Sequence, residues 1–397
     1  MLDVWFLELA KALGRMFTQP FLYIAVGMVL LLSQRRLKQE RKSFGIRIFD
    51  RFSEWKGTIG TSVIAGLCLS VFSIGAGLEL SFPFLMLLSA VLLLVSVPMK
   101  LNWYSAAYTL GITYLVLLVL PYLPENTLFE SWITTLEDTP LTSIAIILTV
   151  MLFVESILLL RTSPDQTFPE RVKGSRGMWV GQHRSRKMAI VPFIALFPAG
   201  DIETFASWWP LLDLGGENFG LIVVPFVTGW EWIAKGQSPE TAAKTMGRHT
   251  FLMALIVLIF VIGSFFIPAL SLAAVVISLL GRELIHVLHR MREERPSFFS
   301  SNPKGLRILG VIPGSPAAQM GLIPGELIER VNTRKVRTEN QFYEALQLNG
   351  GFNKIEVRDK WGENRYVQRA LYEGEHFELG LVFVEPPIHE TTVGFFG

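Results

Sequence analysis

The sequence predicts a polytopic α-helical membrane protein of about seven spans, followed by a small, mainly β, soluble domain. Apolar runs long enough to cross a bilayer recur through residues 19–280, and a stretch of ordinary soluble composition follows them. Over all 397 residues, 51% are hydrophobic and only 18% are charged, whereas about a quarter are charged in soluble domains. This composition excludes a disordered chain and argues against an ordinary cytosolic enzyme.

Residues 1–18 predict an amphipathic segment on a membrane surface, because apolar side chains alternate there with four charged ones, Asp3, Glu8, Lys11 and Arg15. A cleaved signal peptide is not expected, since no small-residue cleavage site follows the apolar core.

Residues 19–160 predict five transmembrane helices joined by basic cytoplasmic loops. Their expected bounds are about 19–33, 58–78, 80–98, 103–120 and 140–160. Residues 251–281 predict a further pair, a transmembrane hairpin of two short helices. Gly263 and Pro268 interrupt this apolar block, which is too long for one untilted helix.

The second predicted span carries small residues at helical spacing. They are Ser62, Gly66, Ser70, Ser73 and Gly77. Such stripes allow helices to pack closely, and we favour packing within one chain over packing between two copies, although a homo-oligomer stays open. Cys68, in the same span, is the single cysteine, which excludes an internal disulfide, and we interpret it as a small buried hydrophobe.

The distribution of charge predicts the orientation. Segment 34–56 holds eight Lys/Arg against three acids, and segment 161–187 holds seven against two. Segment 121–139 holds four acids and no base. The positive-inside rule therefore places both basic segments and the C-terminal domain in the cytoplasm, with an external N-terminus. The same basic segments predict attraction to anionic lipid.

Residues 161–250 predict a cytoplasmic segment that is partly re-entrant or interfacial. Its apolar pieces at 188–198 and 219–229 are too short to span, so we interpret them as re-entrant halves or interfacial helices. Trp208 and Trp209 lie between them and are expected at the level of the lipid headgroups.

After a predicted linker at 282–300, residues 301–387 resemble a PDZ domain, and 388–397 are expected to form a tail. The resemblance is carried by VIPGSPAA at 311–318 and by GLIPGELI at 321–328. It implies a groove between a sheet edge and a helix, where an extended peptide or protein segment adds as a strand.

The family's carboxylate-binding loop is missing before the strand at 306–312. Its only candidate follows later, at Leu379, Gly380, Leu381, Val382 and Phe383. This placement predicts a circularly permuted PDZ domain, with a plain last core strand as the alternative. Matching the family's helix places Phe342 and Leu346 on the groove side, which implies an apolar ligand or a groove partly filled by the domain itself.

No catalytic residue, metal site, cofactor or nucleic-acid partner is predicted. None of the six histidines begins an H-E-x-x-H motif, and neither G-x-S-x-G nor a phosphate-binding glycine loop is present. Glu283, His286 and His289 form the nearest metal-like spacing, but we favour a basic helix end near lipid headgroups. For Glu155, inside the fifth span, a polar contact in the bundle is favoured over a proton or ion ligand.

The layout of the whole chain resembles the MinJ family of bacterial cell-division topology proteins. The resemblance implies a non-enzymatic adaptor in a Gram-positive bacterium, enriched at septum and poles, that bridges a DivIVA-like coiled-coil protein to a MinD-like ATPase and so controls septum placement. Two alternatives stay open. One is a PDZ-containing regulatory subunit of a membrane protease or secretion complex, and the other is a transporter that uses Glu155 and carries a regulatory PDZ domain.

Overall fold

The computed structural model shows apolar helices packed around a long β-hairpin, followed by a small, mainly β domain. The structure describes residues 2–122, 130–174, 177–204, 209–212, 218–348, 352–359, 361–370 and 379–384. The predicted tail at 388–397 and Trp208 lie outside the described residues.

The front part of the chain is built mainly from helices. They are α1 (Leu2–Met16), α2 (Pro20–Phe44), α3 (Ile59–Ala76), α4 (Phe82–Ser96), α5 (Ala106–Val119), α6 (Glu130–Glu137), α7 (Leu141–Leu160), α8 (Pro239–Ser264) and α9 (Ala269–Glu293). Within the described ranges, five helices (α2, α3, α7, α8 and α9) are long and apolar enough to cross a membrane. The apolar helices α4 and α5 have 15 and 14 residues, and so rise only about 22 Å. A bilayer core is about 30 Å thick, so the count of seven spans stays a prediction.

Helix α3 has the opposite burial pattern to a surface helix of a soluble protein. Its small and hydroxyl side chains are buried, whereas Val63, Leu67 and Val71 are exposed. Cys68 lies on this exposed face, so its interpretation as a buried hydrophobe is wrong. An apolar outer surface with small residues inside is typical of helices that pack against one another within lipid.

The two apolar pieces between α7 and α8 form strands, so their interpretation as re-entrant halves or interfacial helices is wrong in secondary structure. Strands β1 (Phe168–Lys173), β2 (Trp179–Glu203) and β3 (Asn218–Ala234) build an antiparallel sheet in that order. The physical reason is in the residues. Both pieces are rich in β-branched and aromatic side chains, and each has a proline in its middle, where a helix would lose a hydrogen bond.

Helices enclose the middle of the β2–β3 hairpin, where Pro192 lies opposite Pro225. Neither proline has a backbone N–H, so neither leaves an unpaired donor at the open edge of its strand. The absence of donors matters because unpaired backbone groups are costly in apolar surroundings. The register of the hairpin therefore places its two prolines where they are tolerated best.

The outer edge of β2 receives its hydrogen bonds from α3 and the turn after it. The backbone N–H of Ile194 donates to Ser70 Oγ at 2.9 Å. The N–H of Leu196 donates to Leu78 O at 2.9 Å, and its carbonyl accepts from Leu80 N at 2.9 Å. These contacts close the edge of the strand inside the protein.

The stripe of small residues on α3 makes this approach possible. A Cβ at Gly66 would lie only 2.0 Å from the carbonyl oxygen of Pro192. Ser62, Ser70 and Ser73 are buried on the same side of the helix. The stripe therefore packs within the chain, against a strand rather than against another helix.

The outer edge of β3 is closed by polar side chains from other elements. Gln19 Nε2 donates to the carbonyl oxygen of Val223 at 2.7 Å. The backbone N–H of Glu231 donates to Asn102 Oδ1 at 2.7 Å.

Helix α1 covers the far end of the hairpin. Arg15 Nη1 donates to Leu221 O at 2.7 Å, and Ala12 is buried in the apolar cluster there. Trp209 belongs to this buried cluster, and its expected position at the level of the lipid headgroups stays a prediction. Phe6 and Leu13 stay exposed on α1, which is consistent with the amphipathic character predicted for residues 1–18.

Helices α8 and α9 form the predicted hairpin, and the break lies between Ser264 and Ala269. Both helices are longer than the sequence suggested. Helix α8 begins at Pro239 behind a Ser238 cap, and α9 continues through its basic end to Glu293. The predicted linker at 282–300 is therefore wrong over 282–293, because charged residues are compatible with a helix when they lie beyond its apolar part.

The C-terminal domain is the PDZ domain that the motifs predicted. Its elements are β4 (Leu306–Val311), α10 (Pro316–Gln319), β5 (Leu327–Val331), β6 (Arg334–Lys335), α11 (Glu339–Gln347), β7 (Phe352–Arg358), β8 (Asn364–Ala370) and β9 (Leu381–Phe383). The sheet has the order β8-β7-β5-β4-β9, with β6 paired to β5. Strand β9 is the last in the sequence but lies beside β4, which is the position that the permuted arrangement predicts.

Candidate peptide-binding site

The candidate carboxylate-binding turn leads into β9 and is anchored to the start of α10. Gly380 has φ of 82°, a left-handed conformation that favours glycine. Its carbonyl accepts from Ile312 N at 2.8 Å, and the carbonyl of Leu379 accepts from Ala317 N at 2.9 Å. A Cβ at position 380 would lie 2.2 Å from the Ser315 Cβ, so space also requires glycine here.

Strand β9 is an edge strand, and Phe383 directs its backbone outward. Ile308, opposite Phe383, is turned toward β5: its N–H donates to Glu326 O and its carbonyl accepts from Gly325 N, both at 2.9 Å. Ile308 and Phe383 are therefore a non-hydrogen-bonded pair, and the N–H and C=O of Phe383 point away from the sheet. This is the edge to which a peptide strand would add.

The space between β9 and α11 is filled by the domain's own side chains. The rings of Phe342 and Phe383 are 5.3 Å apart at 66°, and neither is exposed to solvent. All seven predicted groove residues are buried, namely Leu379, Gly380, Leu381, Val382, Phe383, Phe342 and Leu346. Of the two possibilities that Phe342 raised, the structure has the self-filled groove.

Arg171 from β1 occupies the outward edge of β9. Its Nε and Nη2 donate to the carbonyl oxygen of Phe383 at 3.1 and 3.0 Å. Its Nη1 donates to Ser43 O at 3.0 Å, and its guanidinium lies 4.6 Å from the ring centroid of Phe44. One side chain therefore connects the end of α2 to the groove strand.

The outer face of β4 and β9 is seated on the rest of the protein through an apolar cluster that includes Phe168, Phe299 and Val382. Gly181 on β2 permits this fit, since a Cβ there would lie 2.3 Å from Leu309 Cδ1. The N–H of Gly181 also donates to Phe299 O at 2.8 Å.

A buried histidine lies at the centre of this seat. His183 Nε2 donates to the carbonyl of Leu309 at 2.6 Å, and its ring stacks on Phe299 at 4.6 Å. Burial lowers the pKa of His183 to about 4, although the bond to Leu309 opposes that shift. The imidazole is therefore neutral at pH 7, and the seat contains no uncompensated charge at this position.

Glu155 pairs with Arg282, a residue at the start of the predicted linker. Arg282 Nη2 lies 2.6 Å from Glu155 Oε1, and both side chains have 0% exposure. Ser105 Oγ donates to Glu155 Oε2 at 2.7 Å. This is the polar bundle contact that we favoured, and a carboxylate inside an apolar block was itself the signal to look for a basic partner.

The acidic and histidine residues near the end of α9 serve separate contacts. Glu283 accepts a hydrogen bond from Tyr108 OH, and His289 Nε2 donates to Ile233 O at 2.8 Å. Across the described residues, no group of three His, Cys, Asp or Glu side chains could hold a metal ion.

Comparisons with known proteins agree with this architecture. A protein-family model described as "PDZ domain" matches residues 307–357. The "Cell division topological determinant MinJ" of Bacillus subtilis (strain 168) is 31% identical over 382 residues, which is 96% of each chain. The "Probable cell division topological determinant MinJ" of Lacticaseibacillus paracasei is 33% identical over 79 residues, 20% of this chain and 22% of the relative. No solved structure matches the chain significantly.

A cell-division determinant with a PDZ domain implies protein partners, and its apolar helices are compatible with a membrane protein. Since the similarity to the Bacillus protein extends over nearly the whole chain, it covers the helical part as well as the PDZ domain. The chain belongs to the MinJ family of cell division topological determinants.

Proposed function

We propose that this protein is a non-enzymatic membrane adaptor that recruits regulators of septum placement, bridging a DivIVA-like coiled-coil protein to a MinD-like ATPase. The observation that carries the proposal is the outward backbone edge of β9 at Phe383, a strand-addition site that a side chain of the same protein covers. The family membership supplies the setting, since the full-length relative is named a cell division topological determinant.

The contacts of Arg171 support the proposed orientation. They bring the basic segments 34–56 and 161–187 against the PDZ domain, so all three are on one side of the helices. The positive-inside rule makes that side the cytoplasm, next to anionic lipid, where division proteins assemble. Helix α1 and the tip of the hairpin are then on the external side.

Partner binding at β9 is then a competition with Arg171. An added strand would need the Phe383 backbone groups, and Arg171 holds the carbonyl with two charge-assisted hydrogen bonds. Each such bond contributes about 1.5–3 kcal/mol, so a partner peptide binds weakly to the seated domain. Useful affinity would come from several weak contacts concentrated on one membrane.

The test is capture of partners by the full-length chain in mild detergent. The wild type, Arg171→Gln and the control Lys173→Gln are each mixed with the DivIVA and MinD homologues from the same genome. Lys173 lies on the same strand, over the Trp179 ring at 5.3 Å. We expect both homologues to bind, and the partner that uses β9 to bind at least tenfold more tightly to Arg171→Gln. Each hydrogen bond removed contributes at least about 1.5 kcal/mol, and about 1.4 kcal/mol corresponds to tenfold in affinity.

Two results would contradict the proposal. Failure to capture either homologue would remove the bridging function. Equal binding by all three variants would leave an adaptor that does not use β9. A fluorescent C-terminal fusion in dividing cells adds an independent check, since it should gather at septa and young poles.

A further inference from the structure

A polar crevice of about 650 Å³ lies away from the PDZ domain, between the end of α9, strands β2 and β3, and the turn at Leu101–Tyr104. Its size is in the range of small-molecule sites. Charged side chains from all three elements line it, and nothing in the adaptor function uses them.

One of the acidic residues in this crevice is neutralised by cations, and a second accepts a hydrogen bond from a neutral group. Glu231 is paired with Arg184 at 2.8 Å and with Arg186 at 2.9 Å. Glu283 accepts a hydrogen bond from the hydroxyl of Tyr108. Glu231 is therefore compensated, whereas Glu283 keeps its negative charge.

The third acid, Glu293, has hydrogen-bond partners, whereas three cations of the crevice have none. Glu293 accepts hydrogen bonds from the backbone N–H groups of Lys235 and Gly236, at 2.5 and 2.8 Å. Within the part of the chain that the structure describes, the side chains of Lys100, Lys235 and Arg290 have no ion pair or hydrogen bond. The lining has four cations against three carboxylates, so the crevice carries a surplus of one positive charge.

A buried donor and acceptor group in the same crevice also has no partner. His286 Nε2 is shielded from solvent, and no described residue forms a hydrogen bond with it. Buried polar atoms in proteins nearly always have a partner, so an orphaned one needs an explanation. An anion with hydrogen-bonding oxygens would satisfy it together with the lysines and arginine.

The crevice borders an exposed apolar stripe on α9. Leu280, Leu284, Val287 and Met291 are exposed and repeat at helical spacing, so they share one face. That face is next to the one that carries Glu283, His286 and Arg290, because residues 283 and 284 are one step apart around the helix. At the rim, Trp103 stacks on Tyr108 at 6.0 Å, an aromatic arrangement typical of the membrane boundary.

We propose that this crevice binds the phosphate of an anionic phospholipid, with an acyl chain along the exposed stripe of α9. The surplus cations and the orphaned imidazole nitrogen select a phosphate, and the adjoining apolar face selects an amphiphile over a free anion. The lipid occupies a defined position between the β2–β3 hairpin and α9. This goes beyond the general attraction of the basic loops to an anionic surface, and it does not depend on the adaptor function.

The test measures phosphatidylglycerol binding to the detergent-solubilised full chain by native mass spectrometry. The variant Lys100→Gln/Arg290→Gln removes two crevice cations, and the control Arg334→Gln/Lys335→Gln removes two exposed cations from β6. A cation near an anionic surface contributes about fivefold in affinity, so we expect roughly 30-fold weaker binding by the crevice variant. The β6 variant should bind within about twofold of the wild type.

Further arms separate the possible ligands. Phosphatidylcholine and inorganic phosphate are titrated in parallel, and Arg290→Lys tests whether charge alone is sufficient. Preference for phosphatidylglycerol, with partial binding retained by Arg290→Lys, supports the proposal. Equal loss in both double variants, equal binding of phosphatidylcholine, or inorganic phosphate binding as tightly as the lipid would overturn it. An unchanged thermal midpoint of the crevice variant shows that it is folded.

Discussion

Replacing Gly66 by alanine should separate α3 from the hairpin. The new Cβ would lie 2.0 Å from the carbonyl oxygen of Pro192, whereas non-bonded heavy atoms need about 3.5 Å. The clash is with backbone, so no side chain can rotate away, and the helix must retreat by roughly 1.5 Å. That movement would break the 2.9 Å hydrogen bond from Ile194 N to Ser70 Oγ.

The expected cost combines two destabilising effects and one small gain. Overpacking a well-packed site costs about 1–3 kcal/mol, and a buried N–H that loses its acceptor costs about 1–3 kcal/mol more. Alanine is about 1 kcal/mol better than glycine in a helix, which offsets part of this. We therefore expect Gly66→Ala to lose about 3 kcal/mol of unfolding free energy.

Two glycines in the same helix provide matched controls. A Cβ added at Gly60 or Gly75 would meet nothing within 4 Å, so alanine at either should be neutral or stabilising by up to about 1 kcal/mol. The assay titrates dodecyl sulfate into the micelle-bound chain and follows tryptophan fluorescence. Gly66→Ala that unfolds together with Gly60→Ala would refute the reasoning, because the close approach of α3 to Pro192 would then carry no energy.

Three further predictions test other parts of the structure. Glu155→Gln should cost about 3–5 kcal/mol in the same titration by leaving its arginine partner buried and uncompensated, whereas the exposed Glu137→Gln should stay within about 0.5 kcal/mol. The pKa of His183 is 6.5 in the unfolded chain, and burial lowers it to about 4 in the folded protein. Between pH 4 and pH 6.5 the folded state therefore binds fewer protons at this residue than the unfolded state does. Stability should therefore fall by about 1.4 kcal/mol per pH unit as the pH drops from 6.5 toward 4, and His183→Gln should flatten that slope in unfolding curves. Gly181→Ala would place a Cβ 2.3 Å from Leu309 Cδ1 and should undock the PDZ domain. Limited proteolysis should then cut the chain faster near the domain, and partner capture should rise. Unchanged cleavage would argue against the seat.

The sequence predicted those parts of the fold in which local pattern and tertiary structure agree. Gly263 and Pro268 marked the break between α8 and α9, because glycine and proline are typical of positions where one helix ends and the next begins. The PDZ motifs predicted a domain whose turns need particular residues. Phe342 raised the possibility of a self-filled groove, since an apolar residue on the groove side needs a partner.

The β2–β3 hairpin was not predicted, because short apolar runs fit a buried helix and a buried strand equally well. Pro192 and Pro225 carried the available signal, since proline inside either run disfavours a helix. Arg171 could not be found from sequence at all. Its contacts with Ser43 and Phe383 join segments that are distant along the chain, and only the assembled fold brings them together.

The closed edges of the hairpin also explain how the PDZ domain is held. Strand β2 continues from the helix-enclosed core to Gly181 and His183, which form the seat of the domain. A slip by one residue would move Pro192 away from Pro225 and turn every side chain to the opposite face, so the register is fixed. A fixed register sets the position of the seat relative to the helices. The core of the protein therefore fixes the edge strand β9, at Phe383, against Arg171. A partner that frees this edge has to loosen the contacts of the seat, because those contacts, rather than a flexible linker, hold the domain in place.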